Sequence, residues 1–178
     1  IEGCFNKNLY SSVGPHGCCI FSQEFYETRA ENDFYRGYTM QVLRGSNPIE
    51  TAISGYLTRQ ISLGKKHHKD FRKLFNRTVG IALISEDLPN LKNRVELDRK
   101  NKDRYGMPGV KIHYELDENT IKILKHGVRM SKEVLTSAGA KITHSFSPVR
   151  NAGWHQMGTA RMGNDPNNSV VNKNGQSH

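Results

Sequence analysis

The chain has 178 residues, 35% of them hydrophobic, with 26 Lys or Arg against 17 Asp or Glu and a formal charge of +9. That length suits one ordinary domain, able to bury on the order of 70% of its unfolded surface, while no apolar run approaches the ~18 residues of a membrane helix and no signal peptide is visible. The charge raises nucleic acid or an anionic surface as partners, but seven Lys or Arg against Asp70 between Arg59 and Arg77 account for +6 of it, with no zinc-finger spacing, basic zipper or ribonucleoprotein motif alongside.

Residues 1–17 read as irregular, punctuated by Gly3, Gly14, Pro15 and Gly17. Cys18 to Tyr26 is rich in strand formers, with Cys18 and Cys19 on opposite faces and reduced; with Cys4 they make an odd count and no C-x-x-C. Phe34 to Leu43 predicts a second, antiparallel strand, with Phe34, Tyr38, Met40 and Val42 on one face. A helix comes next. Asn47 is its N-cap, Pro48 its first residue and Glu50 its acidic third. Ile49, Ile53, Tyr56, Leu57 and Ile61 form its stripe, and Gly64 closes it. The basic patch from Lys65 to Arg77 predicts a short helix with Phe71, Leu74 and Phe75 on its buried side. His67-His68 has only Asp70 nearby as a further ligand, which makes no metal site.

Thr78 to Ser85 is apolar on both faces, as a central strand would be. Arg94 to Leu97 and Val110 to Leu116 predict shorter strands, the second half-buried through Val110, Ile112, Tyr114 and Leu116; the charged stretch between them reads as an exposed loop. A long helix runs from a cap at Asp117 to Gly139, with Ile121, Leu124, Val128, Leu135 and Ala138 as its stripe, widened by Met130 and Val134. Lys141 to Phe146 is the last strand. Strands outnumber helices without regular β-α-β alternation, so the fold class is α+β, a mostly antiparallel sheet backed by helices.

Chemistry concentrates near the C-terminus, in Gly153-Trp154-His155-Gln156-Met157-Gly158-Thr159-Ala160-Arg161-Met162-Gly163. Three glycines in eleven residues suit a chain threaded close against another surface. An imidazole, with an ordinary pKa near 6.5, suits a general base at neutral pH. His113, His126 and His144 have plainer positions on a strand's polar face, a helix and a short strand.

This run, together with Asp165-Pro166 and Ser169-Val170-Val171-Asn172 after it, resembles the C-terminal domain of the glucose–methanol–choline (GMC) family of FAD-dependent oxidoreductases. Gly14-Pro15, Ser22 to Thr28, Arg36-Gly37-Tyr38, Glu86 to Pro89 and Asn93 to Asp98 extend the resemblance, toward a bacterial subgroup, over nearly the whole chain. The resemblance implies oxidation of an alcohol, polyol or sugar hydroxyl. His155 takes the hydroxyl proton while hydride passes from the same carbon to flavin N5. Trp154 and Gln156 flank that base and are expected on the substrate side, with core filling as the alternative for Trp154. The expected cofactor is FAD, no metal is expected, and the expected partner is a small alcohol or sugar.

Three family features are missing from the sequence: the Gly-x-Gly-x-x-Gly that cradles the FAD pyrophosphate, the second active-site His or Asn, which lies beyond the equivalent of His178, and the Asp-Gly-Ser flavin contact expected soon after it. The resemblance therefore implies an internal fragment, with residues 1–150 as a partial substrate-binding domain and 151–178 as the start of the return to the FAD domain. Dehydrogenase, oxidase and lyase remain alternatives within the family, and the compartment stays open between cytoplasm and periplasm. From a different class, a basic module using Arg59 to Arg77 to bind nucleic acid or an anionic polymer is the competing reading.

Overall fold

A computed structural model of the chain describes residues 1–10, 20–145, 158 and 160–178. It has two compact units, each taken in its described parts: Ile1–Glu86 with Glu118–Ser147, and Asp87–Asp117 with Pro148–His178. The architecture is α+β, as the strand and helix patterns predict.

The first unit is built on a five-stranded antiparallel sheet. In chain order its strands are β1 (Glu2–Cys4), β2 (Phe21–Ser22), β3 (Tyr38–Leu43), β4 (Thr78–Ser85) and β7 (Ile142–His144), and across the sheet they run β2-β3-β4-β1-β7. β4 matches its predicted bounds and takes the centre, with Ile81 buried in the core but Ile84 exposed. It pairs with β3 over six residues, from Tyr38↔Ser85 to Leu43↔Gly80. The first predicted strand shrinks to Phe21–Ser22 among the described residues, and Cys18 and Cys19 lie outside them. Phe34 is buried in a bend before β3. Of Lys141 to Phe146, only Ile142–His144 pairs, and Phe146 lies outside the described residues.

Helix α1 (Pro48–Leu57) starts as predicted, the Asn47 side chain accepting the N–H of Glu50 at 2.9 Å. Its end is a correction: the helix closes at Thr58 and Arg59, the latter at φ +61°, well before Gly64. The cause is local. The Gly55 carbonyl accepts the N–H groups of both Gln60 and Ile61, which folds Ile61 back onto Gly55, where a Cβ would stand 2.4 Å from Ile61 Cδ1. Gly64 instead sits at φ +83° in the turn before α2 (His67–Leu74). On α2, Phe71 and Leu74 are partly buried, and Phe75 stacks on Phe71 at 5.2 Å.

Helix α3 (Glu118–Ser137) lies against β1, β3, β4 and β7 and supplies the rest of the core. Its left-handed end at Gly139 and the burial of Leu135 are as predicted, but the rest of its buried face is a correction. The buried residues are Thr120, Ile123, Gly127, Ser131 and Leu135, whereas Ile121 and Val134 are exposed. Close approach decides the phase. At Gly127 a Cβ would meet Leu83 Cδ1 at 2.9 Å and Tyr38 Cε2 at 3.3 Å, so a helix that brings Gly127 against the sheet comes nearer than a larger residue allows. Ser131 is then satisfied inside, donating to Met40 Sδ at 3.5 Å. Around it close Phe5, Phe34, Tyr38, Met40, Ile81, Ile123, Leu135 and Ala140.

The second unit holds the hairpin of β5 (Arg94–Lys102) and β6 (Pro108–His113). β5 runs five residues beyond the predicted Leu97, because the presumed loop carries its own pairing. Asp98 accepts the N–H groups of Lys100 and Asn101 across a bulge, Lys102 pairs with Pro108, and Asp103 holds the turn by accepting from Tyr105 and Met107. Val95↔Ile112 and Leu97↔Val110 form an apolar face, as alternation predicts, but all four residues are exposed rather than half-buried, and so is Tyr114. A two-stranded ribbon has no second layer of its own to cover a face.

Candidate functional site

Trp154, His155 and Gln156 lie outside the described residues. Of their run the structure describes Gly158 and Ala160 to Gly163. Gly158 takes φ +86°, a left-handed turn that costs glycine nothing.

From Arg161 onward the chain forms a closed clamp. Met162 bridges Val171 in parallel, and Val171 bridges Ser177 in antiparallel sense. The Arg161 carbonyl accepts from Val170 at 2.8 Å, and Gly163 donates to the Val171 carbonyl at 2.8 Å. Asp165 organises the loop between, accepting from the N–H of Asn167 at 2.9 Å and from the Asn168 side chain at 2.6 Å; these bonds, the backbone one first, hold its carboxyl below the usual range. Gly163 has no room for a side chain, since a Cβ would meet Ser169 Cβ at 2.9 Å.

His178 locks this clamp. The Ser169 hydroxyl stands 2.5 Å from the Asp165 carbonyl, which can only accept, so its single proton goes there. His178 Nε2, 2.8 Å from Ser169 Oγ and 3.2 Å from the Gly163 carbonyl, must therefore be the donor to both. Sequence reasoning assigns His178 no catalytic role, and the geometry gives it a structural one. The pairing of Ser169, Asp165 and His178 is not legible in the sequence, because Ser-His contacts across nine residues leave no periodic signal.

The remaining histidines differ in their surroundings. His113 Nε2 meets Glu96 at 3.0 Å beside Arg94, and the Arg94 bond followed by the His113 bond lowers the Glu96 carboxyl. His126 is less plain than its helix position suggests. Its Nδ1 is 2.9 Å from Tyr38 Oη, and the rings of Phe25, Phe34 and Tyr38 surround it at 5.3 to 5.8 Å. Burial pushes the Tyr38 phenol up to about 12, so it keeps its proton and is assigned as donor to a neutral imidazole. Burial first, then the Arg129 charge, lowers His126, against weaker opposing effects of Glu133 and Asp33.

A histidine harder to protonate when folded penalises the native state once the unfolded chain takes its proton. Stability from this group is thus complete above the ordinary pKa near 6.5 and is lost as pH falls through the lowered folded value. The urea midpoint is expected to fall between pH 7 and pH 5, and a His126→Gln variant to show a smaller fall. Equal pH dependence in both proteins would remove His126 as the cause.

FAD, the cofactor implied by the family resemblance, needs a helix start whose N–H groups and dipole receive its pyrophosphate. All three described helices instead carry an acid in the first turn: Glu50, Asp70 and Glu118. On α1, Pro48 also lacks an N–H, and Asn47 already occupies that of Glu50. The described residues do not form a dinucleotide cradle. Nor do they include a cluster of His, Cys, Asp or Glu able to hold a metal ion.

An antiparallel sheet backed by a long helix, and a glycine-spaced histidine run that continues into a clamped C-terminal loop, agree with the family those residues resemble. Residues 89–178 match the model of the GMC oxidoreductase family, and the chain belongs to that family. It is 35% identical over 161 residues to 2-methyl-1,2-propanediol dehydrogenase of Mycolicibacterium austroafricanum, covering 90% of this chain and 29% of that protein. It is 37% identical over 99 residues to paromamine 6'-oxidase of Streptomyces fradiae, covering 55% and 18%. The fructose dehydrogenase large subunit of Gluconobacter japonicus is 26% identical over 147 residues, covering 80% and 26%. The chain thus spans less than a third of the length of these relatives.

Proposed function

We propose that this chain is the substrate-facing portion of an FAD-dependent oxidoreductase that oxidises the hydroxyl of an alcohol, polyol or sugar, with His155 as the general base. Residues 1–150 form the substrate-binding part, and 151–178 begin the segment that returns to the FAD domain. One observation carries the reading: the family match at 89–178 includes the Trp154-His155-Gln156 run. The names of similar proteins, dehydrogenases and oxidases of a diol, a sugar and paromamine, support the class of donor.

FAD supplies the hydride acceptor when bound, held by residues other than those described. The role proposed for this chain is to accept the hydroxyl proton at His155, with Trp154 and Gln156 lining the substrate beside it. The base must stand within hydrogen-bond reach of the oxygen, since hydride leaves the carbon readily only as that oxygen loses its proton.

The test is made on the full-length protein. Purified and mixed without oxygen with a panel of diols, polyols and sugars, it is expected to lose its oxidised-flavin absorbance with at least one of them. A preparation free of flavin, or a flavin that no hydroxyl donor reduces, would sink the reading.

A further inference from the structure

Helix α1 is turned outward. Its buried residues are Thr51 and Gly55, while Ile49, Ile53, Tyr56 and Leu57 are exposed, Ile49 and Leu57 by 73% and 72%. At about 100° per residue, these four fill an arc of about 100° centred opposite the buried pair. A helix that covers a core normally puts such an arc inward. The turn into α2 adds Leu63, itself 71% exposed.

The same region carries the chain's charge. α2 packs against α1, and Arg59, Lys65, Lys66, Lys69, Arg72 and Lys73 are exposed around it. The pair holds two acids: Glu50 is exposed in the first turn of α1, and Asp70 is occupied by Lys73 at 3.0 Å and by the N–H of Ser62 at 3.4 Å. An outward apolar arc on a helix packed against an exposed cationic one is complementary to one kind of surface. Aliphatic side chains enter the headgroup–acyl boundary of a bilayer while Lys and Arg meet anionic headgroups. A nucleic acid would match the charge but leave Ile49, Ile53 and Leu57 in water. An apolar protein face would bury those residues but leave the cations unmatched.

We propose that the α1–α2 pair is a peripheral docking surface for a membrane rich in anionic phospholipid. It precedes the segment matched to the family model, 89–178. No helix of the described residues is long and apolar enough to cross a membrane; the contact proposed is with the leaflet surface.

The experiment is co-sedimentation of the full-length protein with phosphatidylcholine vesicles with and without phosphatidylglycerol. Binding is expected only to the anionic vesicles. Two paired variants should each weaken it by about tenfold or more, Ile53→Ser with Leu57→Ser and Lys65→Glu with Lys66→Glu, because apolar insertion and charge act together. All altered side chains are exposed, so circular dichroism and thermal midpoint should match the parent. Failure to bind anionic vesicles overturns the proposal, as does binding that the Ile53→Ser, Leu57→Ser pair leaves unchanged. Salt-sensitive binding to a DNA duplex in place of vesicles also overturns it, in favour of a polyanion site.

Discussion

His155→Ala in the full-length protein is expected to lower the rate of flavin reduction by hydroxyl donors by roughly 10²–10⁴-fold, the usual contribution of a positioned general base. Bound FAD should remain, because the role proposed for the imidazole is on the substrate oxygen and not on the dinucleotide. Added imidazole should restore part of the rate by filling the vacated space with an external base. Rapid mixing without oxygen measures the step directly, free of product release. An unchanged rate would remove His155 from the proton transfer, and loss of FAD with the side chain would assign it a structural role instead.

Gly37→Ala is expected to destabilise the fold by about 3 kcal/mol, at the upper end of overpacking effects. The cause is collision with main chain. A Cβ at residue 37 would lie 2.0 Å from the Phe25 carbonyl oxygen and 2.3 Å from that of Tyr26. Neither oxygen can swing aside like a side chain, and the first also accepts the N–H of Tyr38 at 2.9 Å. Relieving the clash must move the start of β3, where the Gly37 carbonyl accepts the N–H of Glu86 and Tyr38 enters the core. For a chain of this size the melting temperature should fall by about 6–12 °C. Gly64→Ala is the control: nothing lies within 4 Å of its Cβ, so it carries only the cost of a left-handed backbone, about 1–2 kcal/mol. A Gly37→Ala protein melting no lower than Gly64→Ala would refute the collision.

Elements whose signals are local were legible from the residues. The start of α1 rests on Asn47 and Pro48, whose cap bond and fixed backbone act within four residues. β4 rests on eight residues apolar on both faces, and the end of α3 on a glycine able to turn left-handed. The α+β class comes from their order. The GMC resemblance rests on residue identities in 153–172, and the family match covers the same stretch.

Tertiary contacts set what local signals could not. Apolar periodicity placed the face of α3 at Ile121, Leu124, Val128, Leu135 and Ala138; Leu135 is buried, yet the rest of the buried face runs through Thr120, Ile123, Gly127 and Ser131. Small residues have no hydrophobic signature, but they let helix and sheet backbones approach until Ile123 and Leu135 are sealed. The same competition explains α1, where Gly55 and Ile61 close the helix early and its apolar arc remains outside. It also explains the hairpin, whose clean alternation fixes two faces but cannot say whether either is covered.

The family and the α+β class were readable from the residues in order, because they reside in residue identity and local geometry. Which faces are buried, and that His178 is a clamp donor, emerged only once the chain was folded, because burial and proton direction depend on partners distant in the chain. So did the outward apolar side of the cationic helix pair.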